Sequence, residues 1–393
     1  MALTPGAAGA EDLQRPIGPA DGEPLTLAYL ADPASIHTRR WISWFAARGH
    51  RVLLLAAEGV EGGEALPPGV EVHRYQRGGR LALPGSSILA GRSIQNVLRR
   101  LDVDLLHAHY ASSFGWLARL VGFRPTVVTA WGSDLLTDPA RSWRAAIRVR
   151  QAVRHADLVT VPSEQLRSRA IELGAEPNRV ERVPFGVDTS EFSPGSAMGD
   201  LEPLGLGGHR IIFSPRALRP LYRHETVLRA FAKLPEDVLL VMTGRGANPA
   251  YREGLQALAE ELHIAHRLRL IEEIEQRQML ALLRGSAAVV SVPASDGLPI
   301  SVLEAMACGT PVVISDLPGP SEALGPMAER LAVPLADGQA LADRLNEVLT
   351  LPAAEREELG RALRRRAVES FDREAAMLHA ERLYRSLVAA ASA

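Results

Sequence analysis

From Leu25 almost to its end the chain alternates short apolar runs with longer amphipathic stretches, a pattern that admits little besides parallel strands joined by helical crossovers. Runs such as Val52–Ala56 are apolar at every position, as a strand covered on both faces requires. Strands are predicted at Leu25–Leu30, Val52–Ala56, Val70–Tyr75, Leu105–His107, Thr126–Thr129 and Leu158–Val161, with helices between them. The series breaks at Ser190–His209, where Ser193, Pro194, Gly195, Gly199, Gly205, Gly207 and Gly208 accumulate. It then resumes with strands at Ile211–Ser214, Val238–Thr243, Leu268–Ile271, Ala288–Val292, Pro311–Ser315 and Leu331–Val333. A chain of 393 residues is too long for one ordinary core. The expected organisation is a disordered tail (residues 1–23), a first domain (24–188), a linker (189–209), a second domain (210–371) and a final amphipathic helix (372–393). Two open parallel sheets in tandem turn their strand carboxyl ends toward a shared cleft, where such folds bind ligands.

Bulk chemistry removes several classes. The net charge of −2 argues against a general nucleic-acid binder. Its distribution is uneven: Pro24 to Asp188 carries 21 Arg against 15 acidic residues, a net +6. Lys233 is the only lysine, so arginine supplies nearly every positive contact. The first 23 residues lack a basic stretch followed by a continuous apolar one, and no later stretch approaches the roughly 20 apolar residues that span a bilayer. No group of His, Cys, Asp and Glu has zinc-ligand spacing, so no metal is expected. Cys308, alone in an apolar run, is expected to be a buried thiol.

Four segments carry candidate chemistry. The block from Pro293 to Val313 runs from a strand end through a Gly/Pro turn into a helix that carries one carboxylate, Glu304. Free N–H groups at that helix start suit a phosphate, and Glu304 could accept from two vicinal ribose hydroxyls. A capped crossover helix with a solvated Glu fits the same residues. Upstream, Ile211 to Glu225 passes from a strand into a basic turn with Arg216, Arg219 and Arg223, suited to a departing diphosphate or simply to solvent. His107 and His109 alternate at a strand end and so share one side. The segment Thr129-Ala130-Trp131-Gly132-Ser133-Asp134 follows another strand, and Asp134 could orient His109 or cap the next helix. Gly244 ends the Val238–Thr243 strand and is grouped with the donor contacts, although Thr243-Gly244-Arg245-Gly246 lacks the third glycine of a dinucleotide fingerprint. Arg141, Arg144 and Arg148 stand at helical spacing, as one cationic face for an anionic membrane or as a solvated face.

The 293–313 block resembles the donor-site signature of retaining glycosyltransferases of family 4, which have the GT-B fold of two Rossmann-like doubly wound domains facing a cleft. That family pairs two acids separated by seven residues, which here fall at Asp296 and Glu304. The first is Glu in most members. The resemblance implies that Asp296 holds the transferred sugar and Glu304 the ribose, while the backbone around Gly297, Leu298, Ile300 and Ser301 meets sugar hydroxyls and phosphate. Arg216 matches the family's phosphate-binding Arg; the Lys that follows in the family is absent, with Tyr222 near its place and Arg223 the nearest cation. His109 matches the His beside the transferred sugar, with His107 supporting it, and Trp131 stands where His is common. The family's Gly-rich loop after the first strand is missing, and Ser35, His37 and Arg39 are candidates to replace its contacts with acceptor or phosphate.

The resemblance thus implies a hexosyltransferase that uses a nucleotide diphosphate sugar (UDP- or GDP-linked) as co-substrate, without cofactor or metal. His109, Arg216 and Asp296 would be its catalytic residues. The acceptor would be a glycan, a lipid-linked group or a small molecule in envelope-glycan, glycolipid or other glycoconjugate synthesis. The location would be the cytoplasm, with weak peripheral contact at the inner membrane face. A sugar-nucleotide epimerase of the same architecture, or a catalytically weak binding subunit, shares most of these features.

Overall fold

The computed structural model describes residues 22–59, 66–77, 86–244, 248–272 and 274–392. All but the last two residues of the expected tail, and Arg245 and Gly246 of the glycine segment, lie outside the described residues. The chain forms two units, Met1–Pro162 with Leu166–Val183 and Met377–Ala393, and Ser163–Gln165 with Pro184–Ala376.

The first unit is built on a seven-stranded parallel sheet: β1 (Thr26–Leu30), β2 (Arg51–Ala57), β3 (Val70–Tyr75), β4 (Leu105–His109), β5 (Thr126–Thr129), β6 (Leu158–Val161) and β7 (Val180–Arg182). Its order is β3-β2-β1-β4-β5-β6-β7. The inner strands are apolar because helices cover both faces, and Leu53, Leu54 and Leu55 of β2 are fully buried. At the edge, β3 can expose Glu71 and Arg74. The other edge strand, β7, escapes a reading by apolar runs because two of its three residues, Glu181 and Arg182, are charged.

The second unit holds a six-stranded parallel sheet: β8 (Arg210–Ser214), β9 (Val238–Thr243), β10 (Leu268–Ile271), β11 (Ala288–Ser291), β12 (Val312–Ser315) and β13 (Ala332–Val333), in the order β10-β9-β8-β11-β12-β13. The segment expected to be a linker belongs to this unit. Phe192, Leu201 and Leu206 enter its core, and the Asp188 carboxylate accepts from Ser190 N, Ser190 Oγ and Glu191 N. Its Gly and Pro residues shape turns, but three widely spaced apolar side chains suffice to anchor it. The final helix, Arg373–Ser392, begins in the second unit and contributes its residues from Met377 onward to the first. Gly186 (φ 67°) lets its strand-like segment lie against the Arg373 backbone, where a β-carbon would overlap.

The expected cationic face is also different. Arg141 ends a separate short helix, Asp138–Arg141, and pairs with Asp138 at 3.4 Å. Ser142 is extended and caps a new helix, Trp143–His155, by accepting from Ala145 N, so Arg141 does not share a helix with Arg144 and Arg148. The Asp-Pro pair and the capping serine restart the chain where arginine spacing alone implies continuity.

Candidate functional site

Each sheet reverses its strand order once, between β1 and β4 in the first unit and between β8 and β11 in the second. Open parallel sheets bind ligands beyond the strand carboxyl ends at such a reversal. The expected site residues gather at these two places.

In the first unit, His107 and His109 leave β4 on one side, with ring centroids 4.4 Å apart. His107 is fully buried and held on both sides. Trp41 Nε1 donates to Tyr384 Oη at 3.1 Å, Tyr384 Oη lies 2.7 Å from His107 Nδ1, and His107 Nε2 lies 2.6 Å from Thr129 Oγ1. Both ring nitrogens of His107 are thus held by hydroxyl partners, which fixes the ring's position. His109 rests on this base, with Nδ1 3.4 Å from Thr38 Oγ1 and the rings of Trp41 and Trp131 at 5.6 and 5.3 Å. It is 2% exposed, and its Nε2 has no hydrogen-bond partner among the described residues.

Burial pulls His109 down to about 3, with the neighbouring His37 adding to the effect. Burial and then the charge on Arg40 bring His37 to about 4. Both are neutral at pH 7, so His109 offers hydrogen bonds rather than a positive charge. The sign for stability follows. The unfolded chain binds a proton at His109 below pH 6.5 while the folded chain resists until about pH 3. Stability should therefore fall as pH drops from 6.5 toward 3, by about 1.4 kcal/mol per pH unit from this group alone. Urea unfolding of the wild type and of His109→Gln at pH 7 and pH 5 checks this, since the variant should lose less stability on acidification.

The neighbouring candidates have partners within the chain. Asp134 is fully buried and accepts from Trp131 N, Gly132 N and Ala111 N at 3.0, 2.9 and 2.7 Å. It ties the β5 turn to the chain leaving β4 and makes no hydrogen bond to His109. Burial raises its carboxyl, against the backbone N–H groups that work to lower it. Ser35 caps the helix Ile36–Ala47, accepting from Thr38 N at 3.4 Å. His37 packs edge-on against Trp131 at 4.8 Å, so both line the approach to His109, while Arg39 lies half-buried in the first turn of the same helix. A sequence reading overlooks Tyr110, a non-glycine residue at φ 76° that opens a π-helical turn, Tyr110–Gly115, and places its hydroxyl 2.8 Å from Ser133 Oγ. Such backbone is costly and persists only where surrounding contacts enforce it.

In the second unit, β8 and β11 are neighbours, so their following loops meet although Arg216 and Asp296 are 80 residues apart. Arg216 Nη2 donates to Asp296 Oδ2 at 2.8 Å and Nη1 to Ser301 Oγ at 3.3 Å. The Tyr222 ring, near the family's Lys in sequence, lies under the guanidinium, 4.2 Å from centroid to carbon. Gly297 N donates to Asp296 Oδ1 at 3.0 Å, and Ala294 N donates to Leu221 O at 2.8 Å, tying the acidic loop to the basic turn. A β-carbon at Gly319 would overlap the Gly297 carbonyl, so glycine there permits the loop to settle.

Ile300, Ser301 and Glu304 lie on the helix Ile300–Ala307, with Glu304 half-buried one turn in. Leu298 is a core side chain. Gly244 N–H continues the ladder to Ile271 O at 2.7 Å, so this amide is committed within the sheet. Arg223 is turned by a left-handed backbone (φ 50°) at the start of the His224–Phe231 helix, and its Nη1 is buried without a hydrogen-bond partner among the described residues. Cys308 is buried and pushed up to about 12, mainly by desolvation, which makes it an inert thiol. Among the described residues there is no group of three or more His, Cys, Asp or Glu that could hold a metal ion.

Two doubly wound parallel-sheet units, each with polar side chains collected where its strand order reverses, define a protein of the GT-B class. The described family models agree in both halves. The second unit matches the model of glycosyl transferases group 1 over residues 202–366, and the first matches glycosyl transferase 4-like over residues 26–163. Between them the two models span most of the chain and support a GT-B glycosyltransferase of the family-4 type. Among curated relatives, D-inositol 3-phosphate glycosyltransferase of Mycobacterium sp. (strain KMS) is 32% identical over 229 residues, 55% of this chain and 52% of that protein. The same-named protein of Mycobacterium tuberculosis (strain F11) is 33% identical over 233 residues, 55% and 48% of the two chains. The chain thus spans about half the length of the curated relatives it matches. Among solved structures, sucrose-phosphate synthase from Thermosynechococcus elongatus superposes with a TM-score of 0.80 at 22% identity, covering 93% of this chain and 99% of that one. Anabaena HepE in complex with UDP and glucose superposes with a TM-score of 0.77 at 16% identity over 92% and 100%.

Proposed function

We propose that this chain is a retaining, metal-independent glycosyltransferase that moves a sugar from a nucleoside diphosphate to an acceptor hydroxyl. The observation that carries the reading is the cluster of Arg216, Asp296 and Ser301 at the β8/β11 reversal, with Glu304 on the adjoining helix. Arg216 supplies positive charge where a departing diphosphate gains negative charge, and Asp296 accepts from hydroxyls of the transferred sugar. We also assign His109, neutral at pH 7, a hydrogen-bonding role in the reaction. The anomeric carbon–oxygen bond breaks with its electron pair going to the β-phosphate. The acceptor oxygen attacks the same face, and its proton passes to the departing phosphate oxygen, so no protein base is needed. UDP- and GDP-sugars are the favoured donors; UDP is supported by the bound ligand of the HepE structure. The acceptor is a glycan, a lipid-linked group or a small molecule in glycoconjugate synthesis.

A transfer assay with UDP-, GDP- and ADP-sugars, with and without EDTA, tests the reading: activity should persist with the chelator, and its restoration only by Mg²⁺ or Mn²⁺ would overturn the mechanism. In the same assay format, Glu304→Ala should weaken the nucleotide by about 1.5–3 kcal/mol as the ribose loses a charged acceptor. Unchanged affinity in a folded variant removes Glu304 from the site.

We also propose a cytoplasmic enzyme with weak contact to anionic membrane. Among the described residues no helix is long and apolar enough to cross a membrane. The Trp143–His155 helix carries Arg144, Arg148, Arg150 and Arg154 and no acid, with Trp143 68% and Ile147 43% exposed among them. Each cation near such a surface contributes roughly 1 kcal/mol. Co-sedimentation with anionic but not neutral vesicles should weaken with salt and in Arg144→Ser/Arg148→Ser/Arg150→Ser. Equal sedimentation of variant and wild type on both lipids leaves the helix as a solvated face.

A further inference from the structure

Arg216 and Asp296 are assigned to different parts of one ligand, the phosphate and the sugar, yet they hold each other. Their ion pair is 2.8 Å long, with side chains 12% and 15% exposed. The carboxylate is tethered from behind by Gly297 N at 3.0 Å. The guanidinium is fixed by Ser301 on one edge and by the Tyr222 ring on its face. Tyr222 adds no charge, and Arg223 makes neither a hydrogen bond nor an ion pair with either member. The contacting side chains therefore sum to zero: one guanidinium already neutralised by one carboxylate.

That balance treats two related ligands differently. A bare nucleoside diphosphate must share the guanidinium with Asp296, and its phosphate oxygens meet a like charge within a few ångströms. A nucleotide sugar brings hydroxyl donors to the same carboxylate and satisfies it while its phosphate engages the remaining N–H groups of Arg216.

We infer that Asp296 makes the site selective for the sugar-bearing nucleotide over the bare diphosphate, and so speeds release of the diphosphate once the sugar has gone to the acceptor. This rests on the nucleotide-sugar reading above. In a site with a second cation the carboxylate's charge is offset; with Tyr222 in that place its repulsion is felt in full. Asp296 is then a specificity-determining residue in addition to a hydroxyl acceptor.

Isothermal titration calorimetry on the full chain, with UDP, GDP, ADP and their glucose conjugates, separates the possibilities. Asp296→Asn should bind the accepted diphosphate about 10-fold tighter, because a like charge near the phosphate is removed. It should bind the matching glucose conjugate no better than wild type, and product inhibition should rise in parallel. A carboxylate that merely props Arg216 predicts the opposite, with both ligands weakened together. Asp296→Ser provides the same measurement with a different side chain should Asn disturb the loop. Wild type binding a diphosphate that neither variant binds more tightly overturns the inference alone. Wild type binding none of the six ligands at millimolar concentration overturns the nucleotide-sugar reading and the inference with it.

Discussion

Arg216→Ala should lower turnover by about 10²–10³-fold, the usual cost of removing one preorganised group that stabilises transition-state charge. The loss should fall mainly on kcat, since the charge on the diphosphate grows as the glycosidic bond breaks and ground-state binding uses the guanidinium less. The ion pair sharpens the expectation: with Arg216 gone, Asp296 remains in the site as an uncompensated carboxylate beside the phosphate. Arg216→Lys should recover little, because an ammonium lacks the planar fork that serves Asp296 and Ser301 while its face lies over the Tyr222 ring. Single-turnover kinetics with a competent donor check this. Wild-type turnover in Arg216→Ala would transfer the role to Arg223 or remove it.

Glu381→Ala should destabilise the first unit by about 3–5 kcal/mol, the cost of stranding buried charge. Glu381 is almost fully buried on the final helix, where Oε2 meets Arg48 Nε at 2.7 Å and Oε1 meets His50 Nε2 at 3.1 Å and Arg385 Nη2 at 2.9 Å. Because His50 Nδ1 accepts from Leu25 N, its proton must sit on Nε2 and point at Glu381. Burial works to raise the Glu381 carboxyl, but bonds from Arg385 and His50 and the charge on Arg48 bring it below its ordinary value. Its stabilising contribution is thus present above the unfolded carboxyl value and disappears as pH falls through the lower folded one. Calorimetric unfolding should show a melting temperature lower by about 10 °C for a loss of this size. Adding Arg48→Met to Glu381→Ala should recover part of the loss, since the buried cation that faced Glu381 is removed with it. A variant that melts with the wild type would show that water reaches the cluster.

Much of the architecture is legible because it is written in local periodicity. Val70–Tyr75, Thr126–Thr129, Leu158–Val161, Val238–Thr243 and Leu268–Ile271 are strands at the residues the sequence pattern predicts. The donor-site residues are legible for a related reason: a strand end, a Gly/Pro turn and a helix start are short-range features, so Arg216, Asp296, Ser301 and Glu304 could be placed on their elements before any contact was known. His107 and His109 likewise follow from alternation on one strand.

Partnerships belong to the tertiary structure. Asp134 could cap a turn or reach a histidine; only the position of Ala111 N, 23 residues away, decides for the turn. The spacing of Arg141, Arg144 and Arg148 suits one helix, but the pairing of Arg141 with Asp138 and the cap at Ser142 divide it. Gly244 looks open to a ligand until strand pairing commits its N–H to Ile271. Tyr384, which holds His107 Nδ1 from 277 residues away, carries no local signal at all. By itself the sequence determined which segments are strands and helices and which residues sit at their ends, because those depend on neighbours within a turn or two. Strand order decided which ends meet, and with that whether a given N–H, carboxylate or guanidinium faces a ligand or another part of the chain.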